Sequence, residues 1–161
     1  MAKEHRYEAT VRWTGAREGI TTSYRGYSRE YEAAVEGKPA LRLTADGAFL
    51  GNDALHNPED LLVISLSGCH LLTYLAECAR SGVYVLSYED EASGTMAWDG
   101  ETFRFTEVLL RPRVVIAEGS DLALAEELHH RSHDLCFVTR SMNFPVRHEP
   151  EVTVGAAEAC R

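Results

Sequence analysis

The feature that most constrains this chain is a run of apolar and small residues from Leu61 to Ala79 that opens on an explicit helix start. Asn57 supplies an N-cap amide and Pro58 a first helical residue whose missing N–H costs nothing there. Glu59 and Asp60 then place two carboxylates at the positive end of the helix dipole. Leu61, Leu62, Val63, Ile64, Leu66, Leu71, Leu72, Tyr74 and Leu75 leave little polar face, and Ser81-Gly82 closes the segment. A helix apolar on all sides is buried on all sides, so the rest of the chain has to wrap it.

The flanking segments read mostly as strands. Tyr7, Ala9, Val11 and Trp13 alternate with Arg6, Glu8, Thr10 and Arg12, the period of a half-buried antiparallel strand. A second strand is predicted near Ile20 to Tyr24. A third runs from Tyr27 to Val35 and places Tyr27, Arg29, Tyr31, Ala33 and Val35 on one face. Residues 36–56 are rich in Gly, Asp, Pro and Asn without a period and read as a long loop. Beyond the helix, Val83 to Tyr88, Gly94 to Trp98 and Thr102 to Ile116 read as strands, with a hairpin at Asp99-Gly100 and a bend or edge at Pro112. Asp121 caps a second, amphipathic helix ending near Cys136, and a last strand lies near Glu151 to Val154. No βαβ repeat is present, so the predicted class is α+β with antiparallel sheets packed around a long buried central helix. The small N-terminal sheet cannot cover that helix alone, and a second copy of the chain in an obligate homodimer is the expected cover.

The length, 161 residues with 45% hydrophobic content, suits one domain over residues 1–155, followed by a frayed tail at 156–161. A net charge of −9, from 25 acidic against 16 basic residues, disfavours nucleic acid and anionic lipid as partners. The first residues carry no apolar signal region and no stretch reads as an uninterrupted membrane span, so a cytoplasmic location is expected. The four cysteines, Cys69, Cys78, Cys136 and Cys160, are too few for a disulfide scaffold and contain no CxxC pair. In a reducing compartment they are either inert or catalytic.

Cys69 sits in the middle of the apolar helix within Ser67-Gly68-Cys69-His70. It reads either as a small buried hydrophobe or as a reactive thiol, and the second reading needs a cation that favours thiolate. Arg29, alone among apolar neighbours, is the candidate cation; otherwise it is an arginine at a strand end with its head in solvent. Glu59 could hold that arginine by a bidentate pair or could simply compensate the dipole. Cys78 lies two and a half turns from Cys69, on the opposite side of the helix. His129, His130 and His133 precede Cys136 on the second helix; His129 with His133 has the spacing that can grip a metal, while a solvated polar face is the plainer reading.

The segment Asn57-Pro58-Glu59-Asp60-Leu61-Leu62 followed by Ser67-Gly68-Cys69 resembles the OsmC and organic hydroperoxide resistance family. His133-Asp134-Leu135-Cys136, leading through Ser141 and Asn143 to a terminal strand, resembles that family's second cysteine. Gly26-Tyr27-Ser28-Arg29-Glu30-Tyr31 is similar to the arginine strand of the OsmC branch; Arg17, within Gly15-Ala16-Arg17-Glu18-Gly19, is similar to the arginine loop of the hydroperoxide resistance branch. The sequence departs from the family pattern at His70 and Phe137, the residues that follow the two cysteines. The resemblance implies an OsmC-like fold, an intertwined homodimer, and a thiol peroxidase whose site comprises Cys69, Cys136, Arg29 and Glu59. In it, Cys69 becomes a sulfenic acid on reducing an organic hydroperoxide, Cys136 resolves it to a disulfide, and an external dithiol such as a lipoyl group restores the thiols. No bound cofactor and no metal are expected. The competing reading is a metal binder using His129, His133 and Cys136, or a redox sensor using the cysteine pair.

Overall fold

The computed structural model describes residues 4–156. The chain divides into two compact units, one running to Leu61 and the other starting at Leu62.

In the first unit, β1 (Thr10–Trp13), β2 (Tyr31–Ala34) and β3 (Leu41–Leu43) form an antiparallel sheet in the order β1-β2-β3. Trp13 pairs with Tyr31, and Tyr31 in turn with Leu43. The predicted strand over Ile20–Tyr24 is instead a series of bends and turns, closed by bonds from Thr22 N to Ile20 O at 2.8 Å and from Gly26 N to Ser23 O at 3.1 Å. These short-range bonds satisfy backbone groups that a strand would have offered to a neighbour. The predicted third strand starts only at Tyr31, which leaves Arg29 outside it. The segment read as a loop contains β3 and a turn of 3₁₀ helix over Gly47–Phe49.

The first helix, α1 (Pro58–Ser81), starts and stops where the sequence says. Asp60 N donates to Asn57 Oδ1 at 2.8 Å and Asn57 N donates back to Asp60 Oδ2 at 3.2 Å, a reciprocal cap that satisfies two otherwise orphaned donors. At the other end Gly82 takes φ +74°, and Val83 N bonds to Cys78 O at 3.0 Å, closing the last turn in the left-handed conformation that glycine adopts without strain.

The second unit contains β4 (Val85–Asp90), β5 (Ser93–Trp98), β6 (Phe103–Leu110), β7 (Pro112–Ala117), α2 (Leu122–Leu135), β8 (Val146–His148) and β9 (Glu151–Gly155). The single bent strand predicted from Thr102 to Ile116 is two strands in two sheets, β5-β6-β8 and β4-β7-β9. The break falls at Arg111-Pro112: Arg111 N donates to the Asp90 carboxylate at 2.6 Å, and Pro112 has no N–H to continue a ladder. The sheets are mixed rather than purely antiparallel, because β8 runs parallel to β6 and β9 parallel to β7. Asp121 caps α2 through Leu124 N at 3.0 Å.

Two apolar clusters build this unit's core. Leu66 of α1 packs with Val108, Leu110 and Val146 against one sheet, and Tyr74 and Cys78 pack with Val83, Val114, Ile116, Ala125, Leu128 and Val152 between α2 and the other. Leu66, His70, Tyr74, Glu77 and Cys78 form a single buried face of α1, at the three- and four-residue spacing that aligns side chains on a helix. The expectation that α1 is buried on all sides fails within one chain: Ile64 and Leu72 are 54% and 69% exposed, and Leu75 also reaches the surface. By length and apolar content alone α1 could cross a membrane, but a face carrying His70 and Glu77 into a packed core is that of a core helix.

Glu77 shows how that face tolerates charge. Its carboxylate is 4% exposed and lies 2.5 Å from Arg80 Nη1 and 2.8 Å from Arg131 Nε, while those arginines are 70% and 62% exposed. Removing both arginines strands a buried charge, whereas neutralising Glu77 leaves cations that water can solvate. Arg80→Ala with Arg131→Ala is therefore expected to cost about 3 kcal/mol of stability, and Glu77→Gln about 1 kcal/mol. Urea denaturation checks the order, and a larger loss for Glu77→Gln would refute it.

Candidate active site

Cys69 sits mid-way along α1, half-buried, and Cys136 caps the C-terminus of α2, fully buried. Their sulfurs are 2.7 Å apart, with Cys136 Sγ donating to Cys69 Sγ. The two residues are 67 positions apart in the chain, and only the packing of α2 across α1 brings them together. Burial pushes the Cys136 thiol up from its ordinary range, and the bond to Cys69 pushes it the same way, so Cys136 is held as the protonated partner. Around Cys69 the helix keeps its own polar groups satisfied: Thr73 Oγ1 donates to Cys69 O at 2.8 Å, and Ser67 Oγ donates to Asp90 Oδ2 at 2.6 Å. A shallow depression of about 330 Å³ lies beside this turn, lined by Val63, Ile64, Ser67, Gly68, Asp90 and Ala92.

Cys78 is buried among Tyr74, Val83 and Val114 and takes no part in this pair, as its side of the helix predicts. Cys160 lies outside the described residues.

Arg29 is not on the strand face that the alternation suggests. Its guanidinium folds back on its own turn, donating from Nη1 to Tyr27 O at 2.6 Å and from Nη2 to Tyr24 O, and lies over the Tyr27 ring at 4.0 Å and the Tyr24 ring at 4.9 Å. Carbonyl oxygens and ring faces replace the carboxylate partner. The bidentate pair with Glu59 is not formed: Glu59 Oε2 is buried, with no hydrogen-bond partner among the described residues. Glu59 does act on β2, because burial first and the Glu59 charge second keep the Tyr31 hydroxyl protonated above its ordinary range. Arg17 lies in a short 3₁₀ turn and is exposed, beside a polar hollow that includes Glu18, Glu30 and Arg42. The structure therefore joins Cys69 to Cys136 and leaves Arg29 and Glu59 apart from one another.

Residues 51–151 match the protein family described as OsmC-like protein. The chain belongs to the OsmC-like family. Among solved structures, it is similar to an OsmC-like protein of unknown function from Vibrio cholerae, at 29% identity and TM-score 0.84 over 92% of this chain and 100% of that one. An organic hydroperoxide resistance protein from Elizabethkingia anophelis shares the fold, with TM-score 0.70, 17% identity, and coverage of 96% of this chain and 100% of that one. The uncharacterised protein YmaD of Bacillus subtilis is 27% identical over 61% of this chain and 67% of its own length.

This OsmC-like chain carries one constellation that the sequence shows only in part, as the histidines of α2. His70 of α1, His129, His130 and His133 of α2, and His148 of β8 gather in one cluster. His70 and His129 rings lie 5.4 Å apart at 11°, His133 and His148 4.7 Å apart at 28°, and His148 Nε2 is 3.2 Å from His130 Nδ1. The solvated polar face predicted for α2 is thus wrong at His129, which is fully buried. The signal was present, since His129 falls on the same stripe as Ala125, Leu128 and Ser132, all buried. Burial, with the neighbouring imidazoles adding to it, lowers His70 to about 4, His129 to about 3 and His148 to about 4. These rings are neutral at physiological pH. Among the described residues no group of three or more His, Cys, Asp or Glu is arranged to hold a metal ion, so the geometry does not favour a grip by His129, His133 and Cys136.

Proposed function

We propose that this protein is a thiol peroxidase that reduces organic hydroperoxides through Cys69 and Cys136. The observation that carries the reading is the contact between the two sulfurs, one half-buried and one buried and protonated. The Cys69 thiolate attacks the peroxide O–O bond, and with one proton the products are a Cys69 sulfenic acid and an alcohol. The Cys136 thiol then displaces the sulfenic hydroxyl, giving the Cys69–Cys136 disulfide and water. An external dithiol, a lipoyl group or a similar small molecule, restores both thiols by exchange. Arg29 is assigned the role of favouring the thiolate and orienting the peroxide, and Glu59 that of holding the guanidinium, which fits a buried Glu59 oxygen that lacks a partner. The organic hydroperoxide resistance protein of the same fold supports the substrate class.

The apolar side of the depression that reaches Gly68, next to Cys69 in the chain, is made by Val63, Ile64 and Ala92 and suits an alkyl group. Cumene hydroperoxide is expected to be consumed about tenfold faster than hydrogen peroxide, a margin of the size an apolar pocket supplies, under excess dithiothreitol or dihydrolipoamide. A flat ratio would remove the apolar pocket from the reading, and no consumption of either peroxide would remove the peroxidase.

The same proposal includes a homodimer, because exposed Ile64, Leu72 and Leu75 give α1 an apolar face with no cover in one chain, and Val11, Ile20 and Leu41 are likewise open. Light scattering at micromolar concentration is expected to give a dimer mass, and a monomer would refute it. The proposal places the protein in the cytoplasm, and a net charge of −9 disfavours nucleic acid and anionic membrane surfaces as partners.

A further inference from the structure

Cys69 and Cys136 meet because two helices are held in one register, and the groups that hold them stand one residue from the first cysteine and two turns before the second. His70 Nε2 lies 3.1 Å from His129 Nδ1, with both rings fully buried. His129 and Cys136 are seven positions apart, so both point from the same side of α2. One turn further along α1, the Tyr74 ring stacks on His129 at 3.8 Å and 11°, and the Tyr74 hydroxyl donates to Ala125 O at 3.1 Å. Cys136 follows the last turn of α2 and is tied to it through Cys136 N and His133 O at 3.3 Å, so its sulfur goes where the helix goes.

We infer that His70 and His129 are positioning residues that lock α2 against α1 so that the Cys136 sulfur rests on Cys69. The inference rests on the cysteine pair of the proposed reaction and concerns its second step, disulfide formation. Between neutral imidazoles one ring donates and the other accepts, which makes the contact directional as well as close. A stack without that bond lets α2 slide. A disulfide tolerates little sliding, since its Cα atoms must lie about 4.4–6.8 Å apart. Neither histidine touches the peroxide or takes a proton in this role.

The test uses no peroxide. The full chain is equilibrated in mixtures of oxidised and reduced dithiothreitol, where the two thiols pass two electrons and two protons to the oxidised reagent and become the Cys69–Cys136 disulfide. Free thiols are trapped by alkylation and the bridge is mapped by mass spectrometry. His129→Phe keeps a flat ring on Tyr74 but has no ring nitrogen, and it is expected to disfavour the disulfide by about tenfold, a midpoint about 30 mV less negative. His129→Asn, which returns a polar atom near the place of Nδ1, is expected to recover most of that shift, a rescue that a purely space-filling role would not give. Should His129→Phe fail to fold, the comparison moves to His70→Asn, whose amide stops short of the Nε2 position, against His70→Gln, whose amide reaches it. Equal midpoints for the wild type and folded variants would overturn the inference, as would a wild type that forms no bridge between Cys69 and Cys136. A failure of hydroperoxide turnover leaves this equilibrium unaffected, so the two readings fall separately.

Discussion

Cys69→Ser is expected to consume no organic hydroperoxide above the uncatalysed background, a loss of about a thousandfold or more, as follows removal of a nucleophile. The two cysteines are not interchangeable. Cys69 is half-buried and accepts the thiol hydrogen bond, whereas Cys136 is fully buried with its proton retained by desolvation and by Cys69. A hydroperoxide therefore reaches Cys69 first. Cys136→Ser should still react once. Without reductant it is expected to consume one equivalent of hydroperoxide and leave a sulfenic acid on residue 69 that dimedone traps, while the wild type consumes one equivalent and ends as a disulfide. With excess small dithiol the variant turns over slowly, because the reagent must do intermolecularly what Cys136 does in contact. Negligible consumption by wild type and both variants alike would refute the peroxidase; loss in Cys136→Ser with retention in Cys69→Ser would reverse the assignment.

The second large effect is on stability in acid. His70, His129 and His148 have folded values of about 4, 3 and 4 against an ordinary value near 6.5. Below 6.5 the unfolded chain therefore binds protons that the folded chain refuses, and stability falls with pH until the folded rings themselves titrate. The groups around these rings include His130, His133 and Asp134 of α2 and Tyr74 of α1; only Asp134 raises His148, and the imidazoles lower one another. Each buried ring removes up to about 1.4 kcal/mol per pH unit. His148 is partly exposed and is left out of the sum. His70 and His129 together are expected to remove roughly 2–4 kcal/mol between pH 6.5 and 5, a large share of the stability of an ordinary domain. Urea midpoints of the reduced protein at pH 7.5 and 5 measure this. His129→Phe removes one of the two fully buried titrating rings, so its acid shift should be about half that of the wild type. An equal shift would place the acid sensitivity elsewhere.

Much of the local structure is legible in the residues because the forces that set it act within one turn of chain. Asn57 and Asp60 cap one another, Gly82 accepts the left-handed angle that ends α1, Gly100 does the same in the hairpin after Asp99, and Asp121 reaches Leu124 N at the start of α2. Each signal and its target are three residues apart or fewer. The family resemblance, carried by the capped helix with Cys69 and by the second cysteine at Cys136, agrees with the OsmC-like match over residues 51–151.

What local pattern could not reveal depends on partners far along the chain. Alternation over 27–35 placed Arg29 on a strand face, but the turn bonds after Ile20 start the strand at Tyr31 and give the guanidinium two carbonyls of its own loop. The strand pattern from Thr102 to Ile116, with Pro112 marking a bend or an edge, does not say that the chain changes sheets at Arg111, because the decision lies with Asp90 across the fold. Nor does a run of histidines on α2 say that one of them meets His70, 59 residues away, in the buried core. By itself the sequence determined the capped helix, the hairpin turn at Asp99-Gly100, the helix caps and the two cysteines. The tertiary structure alone decided that those cysteines touch and that five imidazoles cluster beside them, since contact between distant residues depends on how whole elements pack and not on the preferences of any one of them.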